Sequence, residues 1–364
     1  MKIGIVTFHR AHNCGAALQC LALVVVLRRM GHAVSVIDSN DVGDGLKIRF
    51  DGCSSLRGFL SYAKRTACAW LNVHRRRYRR FMKRNLPLTE KLAGDAVPQG
   101  FDCVVLGSDQ VLNPSIVSGH EGVFLLENIP NTVRRVAYAA SFGVKSLPEN
   151  CRGRYSSALG RFASLSVRES SALEICRKEL SLDNDIAVAL DPTLLLDAGD
   201  YLPFERKVDV GGDYVLVYTV GGAAMSVVNG LAERIAARYG VKVVFATLIF
   251  SNPEPHWLPV SPDELLYLAR NARFVVTTSF HGTAFSIINR KPFLTVVPES
   301  QPVSGRITDL LGKLGLMDRI VGESAANGVL TPDVFAEIDY GAVSSRLRAL
   351  RDESLAFLNG ALHE

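Results

Sequence analysis

The chain carries its chemically able side chains where apolar runs stop. Ser279, His281, Gly282 and Thr283 follow the β-branched run Phe274–Thr278, and residues 284–290 then read as a short helix blocked by Pro292. Ser108, Asp109 and Gln110 follow the run 101–106, Arg168 and Glu169 follow 165–167, and Asn13 and Gly15 lie in the polar loop after 2–8. Lys291 and Arg306 are near His281 in sequence. The set mixes cations, hydroxyls, carboxylates and one histidine, without GxSxG, HExxH or P-loop spacing. Such a mixture suits a small anionic donor and a hydroxyl acceptor better than hydrolysis, and it calls for no metal. His281 is expected where free helix N–H groups and the helix dipole favour an anion. Plainer readings compete: His281 as a packed core histidine, Asp109 as a turn cap, Arg168 in a surface ion pair, Asn13 and Gly15 as turn formers.

A site drawn from so much of the chain needs a scaffold that gathers strand ends. Residues 2–8, a polar loop, an apolar helix over 17–30 and the strand 33–38 make a βαβ unit, whose right-handed crossover puts loop 9–16 at the carboxyl edge. The loop lacks GxGxxG, which makes Asp38 a poor ribose ligand. Strands 135–140 and 186–190 also end in polar residues, Ser141 and Asp191, as strands of doubly wound sheets do at a site. Residues 197–213 read as a linker, and a second α/β unit starts at Tyr214, with Ser261-Pro262-Asp263-Glu264 as a capping box. The expected fold class is α/β, with two Rossmann-like domains facing across a cleft. The first covers 1–196 with a basic helical insertion at about 40–100, and the second covers 197–342 and carries the donor-site motif. The C-terminal stretch 343–364, helical over 343–359, is expected to pack back on the first.

At 364 residues, 48% hydrophobic and 21% charged, the chain has an ordinary soluble composition and more length than one core needs. Seven cysteines, odd in number and without CxxC or CxxH spacing, argue against a disulfide framework or a zinc site and for a reducing compartment. No signal-peptide pattern opens the chain, and no apolar run approaches the ~18 residues of a membrane span, so the expected location is cytoplasmic. The net charge of +5 is concentrated in Arg75–Arg84, which with Trp70, Tyr78, Phe81 and Met82 reads as a basic amphipathic helix over 70–84. Such a helix suits an anionic membrane surface; a solvated face over a core stripe is the alternative. Nucleic-acid binding is disfavoured because no binding module accompanies the patch.

Taken in order, Thr7-Phe8 with Asn13–Gln19, Gly107–Gln110, Ser166–Glu169, Leu190–Thr193 and Thr278–Gly282 resemble the polysaccharide pyruvyltransferase family, over roughly residues 3–320. The resemblance implies a GT-B-like pair of domains and a transferase without cofactor. It implies transfer of a pyruvyl group from phosphoenolpyruvate, the substrate, to a sugar, commonly as a ketal across two hydroxyls, in surface polysaccharide biosynthesis (exopolysaccharide or capsule). It also implies donor handling by His281 and Arg168. On this reading His281 and Asp109 are catalytic. Arg168, Ser279, Thr278, Gly282, Lys291 and Arg306 bind the donor, and Asn13, Gly15, Ser108 and Gln110 bind the acceptor. Many members have an arginine two residues before the histidine, where this chain has Ser279; Arg306 or Lys291 is the expected replacement. A lipid-linked acceptor would give residues 70–84 a reason to rest on the inner membrane leaflet. The main alternative is a GT-B glycosyltransferase using a nucleotide sugar, with Glu299 as candidate ribose ligand. A non-catalytic sugar-binding protein is a third reading and leaves the polar strand ends unexplained.

Overall fold

Strands that are apolar on both faces are stable only between two helical layers, and parallel pairing follows from the helical crossovers between them. The computed structural model of the protein describes residues 1–38, 73–91, 99–219, 224–247, 257–297, 305–326 and 332–363. Among them, β1 (Lys2–Val6), β2 (Ala33–Val36), β3 (Cys103–Leu106), β4 (Arg134–Ala140), β5 (Ser164–Val167) and β6 (Ile186–Val188) form one parallel sheet in the order β2-β1-β3-β4-β5-β6. A second parallel sheet has the order β12-β11-β10-β7-β8-β9. Its strands are β7 (Tyr214–Thr219), β8 (Lys242–Thr247), β9 (Trp257–Pro259), β10 (Phe274–Thr277), β11 (Phe293–Val297) and β12 (Ile320–Gly322). This agrees with the expected two Rossmann-like, GT-B-like units. The order of each sheet reverses once, between β1 and β3 and between β7 and β10, and ligands bind at such reversals, beyond the carboxyl ends of the strands. Just beyond the strand ends at those points come Asn13, Ser108, Asp109, Ser279 and His281.

Three local expectations need correction. The first helix runs Cys14–Arg29, starting three residues before the expected Ala17, because Asn13 Oδ1 accepts from the N–H groups of Gly15 (2.9 Å) and Ala16 (3.5 Å) and caps it. The helix expected over 284–290 is Phe280–Ile288. Thr283 Oγ1 donates back to the Ser279 carbonyl at 3.1 Å, so the polar turn is itself the first helical turn and holds His281. Strand β9 has no counterpart in the sequence reading. Of the insertion, helix Val73–Asn85 is described, burying Tyr78, Phe81 and Met82 beneath exposed Arg76, Arg79, Arg80, Lys83 and Arg84; residues 39–72 and 92–98 lie outside the described set.

The two halves are joined by several elements. Arg77 Nη1 reaches Glu264 at 3.0 Å, tying the basic helix to helix Pro262–Asn271, and the Cys14 thiol donates to the Val260 carbonyl at 3.5 Å. The C-terminal helix Tyr340–His363 returns to the first sheet: Ser354 Oγ accepts from Leu190 N–H (3.0 Å) and Arg134 Nε donates to the Ala361 carbonyl (2.8 Å). At the centre, Gly15 lies directly beneath the His281 ring, and a Cβ there would collide with the imidazole. Gly15→Ala should therefore cost about 1–3 kcal/mol, the usual range for overpacking. In a His281→Ala background most of that penalty should vanish. Denaturant unfolding of the four proteins in this cycle checks it, and an additive pair of losses would contradict the contact.

Candidate active site

The site is built on Arg168, the first residue beyond β5. Its side chain is 2% exposed and its Nη1 donates to Asp191 Oδ2 at 2.7 Å. Asp191 follows β6 and caps the turn Pro192–Leu195: its Oδ1 accepts from the Thr193 N–H (3.0 Å) and hydroxyl (2.8 Å), and its Oδ2 accepts from Ser108 Oγ at 2.9 Å. The Phe280 ring, from the other half, covers the guanidinium at 4.7 Å. Nε and Nη2 of Arg168 have no hydrogen-bond partner; they face Glu169 Oε2 at 3.8 Å and Asp109 Oδ1 at 3.6 Å. His281 enters from the opposite sheet, its Nε2 buried, without a hydrogen bond and 3.7 Å from Asp191 Oδ2. Arg306, second residue of helix Gly305–Leu314, lines the same recess as Arg168, Asp191 and Phe280 and makes no hydrogen bond or ion pair among the described residues.

Charge in this cluster is mixed, not the uniformly cationic hollow that a trianionic donor suggests. Burial works against Arg168's charge, but Asp191, Asp109 and Glu169 more than restore it and raise its pKa. Burial also opposes the Asp191 carboxylate, yet His281, Arg168 and the Thr193 N–H hold its pKa far below the usual carboxylate range. For Glu169 burial prevails: its pKa is raised despite Arg168, the Ser141 hydroxyl bound to Oε1 at 2.6 Å, and Arg306. Burial and the like charge of Arg168 lower the pKa of Arg306. The balance leaves Asp191 as the structural anion and Glu169 as the carboxyl that favours its proton.

A family model described as polysaccharide pyruvyl transferase matches residues 13–300. The chain belongs to that family. It is accordingly a transferase enzyme. No curated protein matches the chain. Among solved structures, this pyruvyl transferase is similar to the Methanocaldococcus jannaschii UDP-GlcNAc 2-epimerase in complex with UDP-GlcNAc and UDP, with 13% identity over 96% of this chain and 99% of that one and a TM-score of 0.47. It is also similar to the spinosyn rhamnosyltransferase SpnG (13%, 100% of both chains, 0.44) and to Acinetobacter baumannii MurG (9%, 96% and 94%, 0.42).

The residues singled out from the sequence of this pyruvyl transferase fall into three groups. Arg168, His281, Asp109, Ser108 and Arg306 come together. Ser279 and Thr278 make no contact with the cluster among the bonds of the described residues; Ser279 is buried, its N–H donating to Thr277 Oγ1 at 3.0 Å, and Thr278 is half-buried. Others serve the scaffold. Gly282 lets the helix lie on Thr277, which a Cβ would overlap; Gln110 Oε1 accepts from Asn113 Nδ2 at 3.0 Å; the Asn13 carbonyl oxygen of the side chain is used as a cap. Lys291 does not reach the cluster: it precedes β11, at the amino edge of a parallel sheet, whereas His281 follows the carboxyl end of β10. Arg306, not Lys291, is thus the cation near the position of Ser279. Asp38 is no ribose ligand either, since His9 Nε2 (3.0 Å) and Arg10 hold its carboxylate. The Glu299 candidate lies outside the described residues. Glu169, Asp191 and Phe280 carry no assigned role in the sequence analysis; the signal for all three is their place inside the polar motifs. Asp109 adopts φ +79°, a left-handed conformation costly for a non-glycine residue.

Because its folded-state pKa is raised, Glu169 contributes stability below the ordinary glutamate pKa of about 4.3, and that contribution is lost as pH climbs through the folded value. Glu169→Gln does not titrate. Its melting temperature should therefore gain on wild type as pH rises from acid toward neutrality, measured by thermal denaturation at several pH values; a constant difference would refute the assignment.

Proposed function

We propose that this enzyme transfers the pyruvyl group of phosphoenolpyruvate to two hydroxyls of a sugar in surface polysaccharide assembly. One observation carries the reading: among the described residues, buried donor atoms of Arg168 from one half and His281 Nε2 from the other lack hydrogen bonds, beside an Arg306 without a partner there. Buried polar atoms are normally satisfied, so a cluster of donors without hydrogen bonds is suited to an anionic ligand. A carboxylate and a phosphate on a three-carbon skeleton supply enough acceptor oxygens for both guanidinium groups, the imidazole and the N–H groups at the start of helix Phe280–Ile288.

The chemistry divides between one base and one acid. Asp109 accepts the proton of the attacking sugar hydroxyl as its oxygen bonds to the enol carbon, and His281 protonates the methylene carbon, making the methyl group. Loss of inorganic phosphate, with Arg168 and Arg306 stabilising the departing charge, then leaves the carbon open to the second hydroxyl, whose proton passes to the now neutral His281 as the ketal closes, while Asp109 gives its proton to the departing phosphate. Ser279 contributes no charge, so Arg306 supplies what an arginine at that position would.

Phosphoenolpyruvate should raise the melting temperature of the wild-type protein and Arg168→Ala should abolish the shift. With a competent sugar acceptor, His281→Ala should lower phosphate release by about 10²–10⁴-fold. Stabilisation by a nucleoside diphosphate and not by phosphoenolpyruvate would instead favour the nucleotide-sugar glycosyltransferase.

The basic helix supports a peripheral membrane contact for a lipid-linked acceptor. Arg76, Arg80 and Arg84 lie exposed on one face, and no helix among the described residues is long and apolar enough to cross a membrane. Changing these three arginines to glutamine should release the protein from phosphatidylglycerol vesicles in a sedimentation assay; unchanged binding would remove the proposal.

A further inference from the structure

The two guanidinium groups that line the recess come from different halves of the chain. Arg168 follows β5 of the first sheet, and Arg306 is carried by helix Gly305–Leu314 in the second half. Their approach is opposed, since burial and then the like charge of Arg168 lower the pKa of Arg306. Bringing two cations together across a joint requires a contact that holds the helix there.

That contact lies three residues along the same helix. Asp309 Oδ2 accepts from both the N–H (2.7 Å) and the hydroxyl (2.8 Å) of Ser170, two residues after Arg168. Ser170 opens the short helix Ser170–Glu174, whose N-cap residue Glu169 makes no capping bond with its side chain; Glu169 Oε1 accepts from Ser141 instead. Asp309 thus supplies the missing acceptor from the other half of the molecule. Beside it, Gly305 comes so near Ser171 that a Cβ would stand 3.2 Å from the Ser171 hydroxyl oxygen. An acid three residues after an arginine is well placed to be its ion-pair partner on a helix. Here the carboxylate is turned across the joint, and Arg306 keeps no carboxylate partner among the described residues.

We propose that Asp309 is a positioning residue: by clasping Ser170 it fixes its helix so that Arg306 stands beside Arg168 and the two guanidinium groups bind one anion together. Naming that anion phosphoenolpyruvate rests on the pyruvyl-transfer reading; the clasp itself does not. Charge and position predict opposite outcomes for this residue. Asp309 lines the recess, so if it acted through charge alone its removal would tighten anion binding. If it acts through position, its removal weakens binding.

Titration calorimetry on the full chain, with phosphoenolpyruvate and inorganic phosphate as separate probes, reads the difference. Asp309→Ala should weaken binding by at least about fivefold. Asp309→Asn keeps an acceptor for Ser170 and should restore affinity to within about twofold of wild type. Ser170→Ala removes only the hydroxyl and should give a smaller loss in the same direction. In an Arg306→Ala background the helix has no guanidinium left to position, and Asp309→Ala should cost less than about twofold. A merely structural contact would cost the same in both backgrounds. Tighter binding by Asp309→Ala, losses as large in Asp309→Asn as in Asp309→Ala, equal losses in the two backgrounds, or no binding of either anion would each overturn the proposal. This pattern with inorganic phosphate, but no binding of phosphoenolpyruvate, would defeat the donor reading alone and leave the positioning role standing.

Discussion

The buried pair between Arg168 and Asp191 is the constraint on which the rest of the centre depends. Moving a guanidinium and a carboxylate out of water is costly, and such a pair adds little net stability over a well-packed apolar substitute. Here it organises. Asp191 is held at both oxygens, by Thr193 on one side and by Ser108 and Arg168 on the other, so Nη1 of the guanidinium is anchored while Nε and Nη2 face Glu169 and Asp109. Four strand ends of one sheet and the first helical turn beyond β10 of the other converge on it. Remove Asp191, and Arg168 and Ser108 lose the group that orients them, while His281 loses the carboxylate 3.7 Å from its Nε2.

The charge count refines how an anion could be held. Two guanidinium groups face three carboxyls, and a trianion placed there would meet repulsion unless some of those carboxyls give up charge. Glu169 is the group whose surroundings favour that, because burial outweighs its cationic neighbours.

Much of this was legible before any coordinates. Apolar runs ending in Ser108-Asp109, Arg168-Glu169 and Ser279–His281 are what parallel strands with polar carboxyl ends look like, and that pattern alone brings these residues to facing edges. What periodicity could not tell was the start of short helices, since a cap such as Asn13 or the back-bonded Thr283 shifts the boundary by a turn. Nearness in sequence also misled for Lys291. A helix and its return strand carry the chain from one edge of the sheet to the other within ten residues, so neighbours in sequence can be a sheet's width apart. The clasp between Asp309 and Ser170 was invisible for a different reason: it joins residues 139 apart in the chain, and no local pattern encodes that meeting.

Gly15 under the imidazole has a mechanical consequence. The surfaces meet there through a ring resting on a bare α-carbon, so the spacing at that spot is set by shape. The firm attachments are elsewhere, through the C-terminal helix at the rim of the first sheet and the Arg77–Glu264 brace. The joint is therefore braced at its margins and governed at its centre by fit, where the width of one side chain decides how near the two sheets stand.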